Sequence, residues 1–350
     1  MKPLYFSVVI PVFNRPEEIN RLLHSLTLQD DKNPFEVVVV EDGSSIDCRQ
    51  ICASFSDQLQ ISYYFKPNSG PGDSRNYGMS RAKGDYFLIL DSDCILPIHY
   101  LSRVRQGLSD AYIDCFGGAD SVHHSFTFFQ KVVNAVMTSP VSTGGVRGSK
   151  KGLARFQPRS FNMGISKALF EATGGFGNIH PGEDPEFVFR SWNLGFKTRF
   201  IEGVEVFHER RINLKSFIKQ VYKFGSVRVA LNRLHPKYQS KLFLLPSIFT
   251  LGWLSLGLLL LTRPLLDFFP ILADCISLGL SLYISYFILF FINTWYRSSS
   301  VVIAIASVPL VFIQFTAYAY GYLRSTVKLL GVPKESIETK LPEFFFKDIA

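Results

Sequence analysis

The chain has 350 residues, 47% of them hydrophobic, with 33 phenylalanines and a formal charge of +8. That length suits one large unit or two smaller ones. Its five cysteines, Cys48, Cys52, Cys94, Cys115 and Cys275, are odd in number and scattered, which excludes a paired zinc site and leaves structural thiols as the default.

Apolar β-rich runs alternate with amphipathic stretches from the start: Phe6 to Ile10 then Glu17 to Leu28, Phe35 to Val40 then Ile46 to Phe55, Ile61 to Phe65 then Asp73 to Ala82, Tyr86 to Leu90 then Ile98 to Leu108. This alternation predicts an α/β domain with a mostly parallel sheet and helices on both faces. Such sheets bind ligands outside the carboxyl ends of their strands. The segments that fall there are Pro11 to Asn14, Glu41-Asp42-Gly43, Pro67 to Gly72 and Asp91 to Asp93. No Gly-x-Gly-x-x-Gly follows the first strand and no P-loop is present, which argues against a nicotinamide-binding Rossmann domain and a P-loop site.

Residues 85 to 93, Asp-Tyr-Phe-Leu-Ile-Leu-Asp-Ser-Asp, form an apolar run that ends in two carboxylates one residue apart. On an extended strand, positions i and i+2 share a face, so Asp91 and Asp93 can share one hard cation, Mg2+ or Mn2+, with diphosphate oxygens completing its shell. The alternative is two polar residues that close a strand and cap the helix from Ile98 onward.

After Gly117-Gly118 the alternation stops. Ser121 to Pro140 is apolar and aromatic, either a core helix or a lipid-facing one, and Gly144 to Arg159 is a Gly-rich loop with Arg147, Lys150, Lys151, Arg155 and Arg159, either solvated or a mobile phosphate clamp. Glu183-Asp184 opens a helical stretch, Pro185 to Leu194, where a carboxylate is a cap or a proton acceptor. His208 follows a strand expected over Val204 to Phe207 and is either structural or a metal ligand.

From Leu214 to Lys241 there are seven Lys or Arg and no acid. Lys215, Lys219 and Lys223 recur on one side of a helix with Phe217, Val221 and Phe224 on the other, immediately before three uncharged runs, Phe243 to Leu261, Ile276 to Thr294 and Val301 to Leu323. Each run approaches the ~20 residues that cross a bilayer as a helix. A basic helix in that position favours anionic lipid over nucleic acid as its partner. Three spans would put the tail on the far side of the membrane, whereas Arg324 and Lys328 favour the cytoplasmic side. Asp267 and Asp274 belong in water or at a re-entrant turn. The N-terminal Met-Lys-Pro-Leu-Tyr-Phe-Ser is no signal peptide, so the large domain is expected to stay cytoplasmic, on a multi-pass inner-membrane protein.

Taken in order, Ser-Val-Val-Ile-Pro-Val-Phe-Asn-Arg, Val-Val-Glu-Asp-Gly-Ser-Ser, Asn-Ser-Gly-Pro-Gly-Asp-Ser-Arg-Asn-Tyr-Gly, Asp-Ser-Asp, Phe-Asn-Met-Gly-Ile-Ser and Gly-Glu-Asp-Pro-Glu-Phe resemble a family 2 glycosyltransferase of the GT-A fold over roughly residues 5 to 210. The resemblance implies that Pro11, Phe13 and Asp42 hold the donor nucleotide, that Arg75 sits near the base, and that Asp93 with Asp91 binds the metal, with His208 completing its shell. It also implies that Asp184, with Glu183 second, is the catalytic base. Gly70 and Gly72 would let the backbone pass close to the diphosphate. Arg210 and Arg211 could meet the acceptor's phosphate or the membrane.

The chain departs from the family's processive synthases, which carry Gln-x-x-Arg-Trp after the base: here Gln220, Gly225 and Arg228 stand without the Trp. Gln220 to Arg228 instead resembles the interfacial helix of enzymes that add one sugar to a lipid-linked intermediate.

The expected protein is an inverting, Mn2+- or Mg2+-dependent transferase acting on a nucleotide sugar, with UDP expected, and a polyprenyl-diphosphate-linked glycan. The expected parts are a catalytic domain over 1–210, a basic interfacial region over 211–241, spans over 242–325 and a tail over 326–350. The alternatives are a polyprenyl-phosphate sugar synthase and a catalytically silent membrane scaffold.

Overall fold

The structure is a computed structural model and describes residues 4–121, 123, 126–144, 155–208, 213–262 and 270–346. The chain folds into two compact units, one of residues 1–125, 146–209 and 335–350, the other of residues 126–145 and 210–334.

Elements are numbered in chain order. The first unit opens as four strand-helix repeats: β1 (Phe6–Val12), α1 (Pro16–Thr27), β2 (Phe35–Asp42), α2 (Arg49–Ser54), β3 (Gln60–Lys66), α3 (Pro71–Met79), β4 (Tyr86–Ile89), the short β5 (Cys94–Ile95) and α4 (Tyr100–Asp110). It continues with β6 (Cys115–Ser121), then β7 (Met163–Ser166), α7 (Lys167–Thr173), α8 (Glu183–Asn193) and β8 (Thr198–His208). The second unit holds α5 (Phe128–Thr138), α6 (Pro140–Thr143), α9 (Leu214–Leu234), α10 (Leu245–Thr262), α11 (Pro270–Ser298) and α12 (Val301–Lys328).

The strands form one eight-stranded sheet in the order β3-β2-β1-β4-β7-β6-β8-β5. Its first four strands are parallel, so their carboxyl ends face one edge, as the alternation predicts. β7 pairs antiparallel with both β4 and β6, and β8 runs parallel to β6. Every residue of β1 is buried, as befits a strand covered on both faces. Helix α1 starts at Pro16, whose missing N–H costs nothing there, places Glu17 and Glu18 in its positive first turn, and buries Ile19, Leu22, Leu23 and Leu26 in the core over the sheet.

In the second unit, Thr127 and Gln130 form a capping box at the start of α5. The apolar face of α5, Val132, Val133, Val136 and Met137, packs in one core with Phe217 and Val221 of α9, Phe290 of α11 and Leu310, Val311 and Phe315 of α12. The apolar stretch after Ser121 therefore contributes a core face. Gly225 and Gly321 let α9 and α12 touch closely, since a Cβ on Gly225 would lie 2.1 Å from the Tyr318 carbonyl oxygen and one on Gly321 2.2 Å from that of Tyr222. Lys215 and Lys219 stay exposed opposite the buried Phe217 and Val221. Three helices, Lys241–Thr262, Ile271–Ser298 and Val301–Lys328, are long and apolar enough to cross a membrane.

Candidate active site

β4 stops at Ile89, and Asp91, Ser92 and Asp93 lie in a tight turn closed by the Cys94 N–H on the Asp91 carbonyl oxygen, 3.1 Å. The two carboxylates converge because of this turn, not because of strand alternation. β8 delivers the third group: Cys94 of β5 pairs with His208 at the end of β8. Asp91, Asp93 and His208 can offer ligand atoms that all lie within 4.8 Å of one another.

His208 Nε2 lies 3.2 Å from Asp93 Oδ1, Nδ1 lies 3.9 Å from Asp120 Oδ2, and the ring stacks on Phe161 with centroids 4.6 Å apart. Burial alone would lower the imidazole pKa, but the Asp93 and Asp120 carboxylates outweigh it and raise it to about 10. The pair of acids thus demands a cation at this point, supplied either by the imidazolium or by a divalent ion that takes its proton's place. Two carboxylates and one imidazole suit Mn2+ or Mg2+, with substrate or water oxygens for the remaining positions.

Arg75 occupies the interior rather than a helix surface, with its side chain 3% exposed. Its Nη2 donates to Asp91 at 2.7 Å and its Nη1 to Glu183 at 3.0 Å. It also lies over the Phe176 ring, 5.3 Å from guanidinium carbon to centroid. The arginine therefore links the Asp91 turn to the start of α8.

Glu183 and Asp184 open α8 behind Gly182, whose φ of 120° favours glycine. The two neighbours are pushed apart electrostatically. Burial alone would raise Glu183, but the charge and hydrogen bond of His180, with Arg75, hold it well below the ordinary carboxylate range. Asp184 is raised by burial and by the Glu183 charge, against which Arg75 and Arg159 pull only in part. Its Oδ1 is buried with no hydrogen-bond partner among the described residues. A carboxylate with a raised pKa and a free oxygen is the better proton acceptor of the two.

The nucleotide-side residues behave less uniformly. Pro11 is buried in β1, and Phe13 just beyond it is 50% exposed, an aromatic face open at the sheet edge. Asp42 is turned inward: Lys66 Nζ lies 2.6 Å from Oδ1, the N–H groups of Ser69 and Gly70 donate at 3.0 and 2.9 Å, and Asn68 Nδ2 at 3.1 Å. It shapes the 67–70 loop. Gly72 is small because of the protein itself, a Cβ there lying 2.9 Å from the Gly177 carbonyl oxygen.

Of the basic loop, Arg147, Lys150 and Lys151 lie outside the described residues. Arg155 stacks over Trp192 at 4.1 Å, and Arg159 bridges to Asn162 and is held down by burial while the Asp184 and Glu183 charges raise it. Arg210 and Arg211 also lie outside the described residues. Gln220 and Arg228 sit on α9 in the second unit, with Arg228 buried over the Phe243 ring, 3.8 Å.

Four contributors escape a reading by motif: Arg15, whose Nη1 lies 3.7 Å from Asp93, Asp120 behind His208, Lys66 beneath Asp42, and His180 against Glu183 at 3.1 Å. Asp120 is the one charged residue of β6, the signal that could have marked it.

Residues 7–171 match the family model Glycosyl transferase family 2. Among curated relatives, the glycosyltransferase AglE of Haloferax volcanii is 26% identical over 64% of this chain and 73% of its own length. The GalNAc(5)-diNAcBac-PP-undecaprenol β-1,3-glucosyltransferase of Campylobacter jejuni is 32% identical over 32% of this chain and 37% of its own. Several other relatives are much longer, and the chain spans 14% to 19% of their length. In fold, the chain resembles the mannosyltransferase PcManGT of Pyrobaculum calidifontis, solved with GDP-mannose and Mn2+, with a TM-score of 0.61 and 15% identity over 92% of this chain and 88% of that one.

Proposed function

Because residues 7–171 are a family 2 glycosyltransferase domain on a GT-A fold, we propose that this chain moves a sugar from a nucleoside-diphosphate sugar to a lipid-linked glycan at a membrane surface. The observation that carries the reading is the convergence of Asp91, Asp93 and His208 within 4.8 Å, tied through Arg75 to the loop that presents Asp184.

The donor lies across the carboxyl ends of β1 and β2, with its base against Phe13. Asp91, Asp93 and His208 would hold a divalent cation, Mn2+ or Mg2+, which supplies charge neutralisation to the departing diphosphate. The manganese bound by the PcManGT neighbour supports that reading. Asp184 accepts the proton of the acceptor hydroxyl as its oxygen attacks the anomeric carbon and the bond to the diphosphate breaks. One base on the face opposite the leaving group gives inversion. Glu183, held ionised by His180 and Arg75, raises the basicity of Asp184 through its negative charge.

A lipid-linked acceptor is supported by the Campylobacter relative's name, and polysaccharide assembly is its natural setting. The three apolar helices and the exposed Lys215 and Lys219 of α9 support a membrane location on the cytoplasmic face, each lysine contributing about 1 kcal/mol toward an anionic leaflet. Holding the active site there concentrates it against an acceptor confined to the bilayer. Uridine is the proposed nucleotide.

The test is nucleotide release in detergent from a panel of sugar nucleotides, with Mn2+ or Mg2+, with and without polyprenyl-diphosphate acceptor. Release from one donor, stimulated by the acceptor and abolished by chelation, supports the reading. Release that ignores the lipid acceptor removes that part of it.

A further inference from the structure

Beyond α12 the chain returns to the first unit, to which residues 335–350 belong. A turn of helix, α13 (Ile337–Lys340), and the residues after it bury Ile337, Leu341 and Phe344, leaving 1%, 0% and 3% of each exposed. The segment then lies antiparallel to the loop before α8. The His180 N–H donates to the Phe344 carbonyl oxygen at 2.7 Å, and the Phe346 N–H to that of Asn178 at 2.9 Å. Ile179 and Phe345 are bridge partners, and Asn178 Nδ2 reaches Glu338 Oε1 at 3.3 Å.

Both loops touched by this segment belong to the site. The Phe346 ring covers Gly70 so closely that a Cβ there would lie 2.4 Å from Cδ2, and its centroid is 5.9 Å from that of His180. Gly70 donates its N–H to Asp42, and His180 holds Glu183, which holds Arg75, which holds Asp91. A continuous series of contacts thus runs from Phe346 to the metal-binding turn.

We propose that residues 341–346 are a positioning element of the transfer site, with Phe346 fixing the Gly70 loop and the Phe344 backbone fixing the His180 loop in the geometry that the donor requires. The proposal rests on the sugar-transfer reading above.

The flanking hydrogen bonds make Ile179 and Phe345 a non-hydrogen-bonded antiparallel pair, with Cα atoms about 4.5 Å apart, inside the range a disulfide spans. In full-length protein carrying Cys275→Ser, the double variant Ile179→Cys, Phe345→Cys should crosslink in native membranes, and Lys340→Cys should react with an impermeant maleimide from the side that exposes the catalytic unit. Phe346→Ala should raise the donor KM about three- to tenfold through lost loop ordering. The acceptor KM should not change, and Phe346→Tyr should restore the donor KM. A stop in place of Leu341 should raise the donor KM at least as far. Absence of the crosslink, labelling from the opposite side, or an unchanged donor KM in folded Phe346→Ala overturns the proposal. A chain that releases nucleotide from no donor fails the transfer reading itself, and the positioning role falls with it. A chain that turns over while the crosslink or the KM effect is missing fails the positioning role alone.

Discussion

The Arg75 guanidinium lies 2.7 Å from the Asp91 carboxylate with 3% of the arginine side chain exposed, so a charged pair closes the inner wall of the metal-binding turn. Its other arm reaches Glu183, 108 residues away in the chain. Removing one partner of such a buried group leaves uncompensated charge, which costs far more than the pair contributes. Arg75→Ala should therefore lose about 3 to 5 kcal/mol of stability, read as a fall in the unfolding midpoint of the detergent-solubilised protein, together with transferase activity.

Asp184 and Glu183 should separate cleanly by mutation. Asp184→Asn should lower kcat by about 10²- to 10⁴-fold with little change in donor KM. The acid limb of kcat in the parent should lie above the position an ordinary aspartate would give, because Asp184 must be ionised and its pKa is raised.

The stability signs are opposite for the two acids. The depressed Glu183 contributes stability that is present above its unfolded pKa and is lost as pH falls through its folded one. The raised Asp184 carries a stability cost that builds as pH rises past its unfolded pKa and is complete above its folded one, so Asp184→Asn should unfold no earlier than the parent at neutral pH, whereas Glu183→Gln should unfold earlier. Thermal unfolding of both variants across a pH series checks this.

His208 carries a proton up to about pH 10 when no metal is bound, and a divalent ion must displace it. Mn2+ affinity should then rise with pH, by roughly tenfold per unit while that proton is the only one released. Manganese paramagnetic resonance on the parent and on His208→Ala measures both the slope and its loss. In chelated protein the raised imidazole contributes stability that is fully present below its unfolded pKa and lost as pH rises through about 10.

In the second unit, Gly225→Ala would put a Cβ 2.1 Å from the Tyr318 carbonyl oxygen, a backbone atom that cannot rotate away. Overpacking of this kind costs about 1 to 3 kcal/mol. The variant should unfold earlier in detergent, whereas Gly257→Ala, with nothing within 4 Å of its Cβ, should not.

The strand-helix alternation was legible because buried parallel strands must be apolar throughout, as the valines of β2 are, and the polar breaks after β1, β2 and β4 then mark the functional edge. His208 was legible only as one of two possibilities, since its meaning depends on β8 pairing with β5. The partners of Arg75 could not be read from the sequence, because they come from a turn and from a helix far along the chain. The partner of Asp42 was hidden too, because Lys66 reaches it from the end of the neighbouring strand. The return of residues 335–346 left no trace beyond five apolar positions, Ile337, Leu341, Phe344, Phe345 and Phe346, in a stretch short enough to pass for a tail.

The most direct test of the account is Mn2+-dependent nucleotide release from sugar nucleotides by the parent and by Asp93→Ala, measured on protein of equal folded content. The account predicts release by the parent with one donor, lost on chelation and lost in Asp93→Ala. Equal release by both proteins would contradict it, because the cluster of Asp91, Asp93 and His208 would then have no part in the reaction.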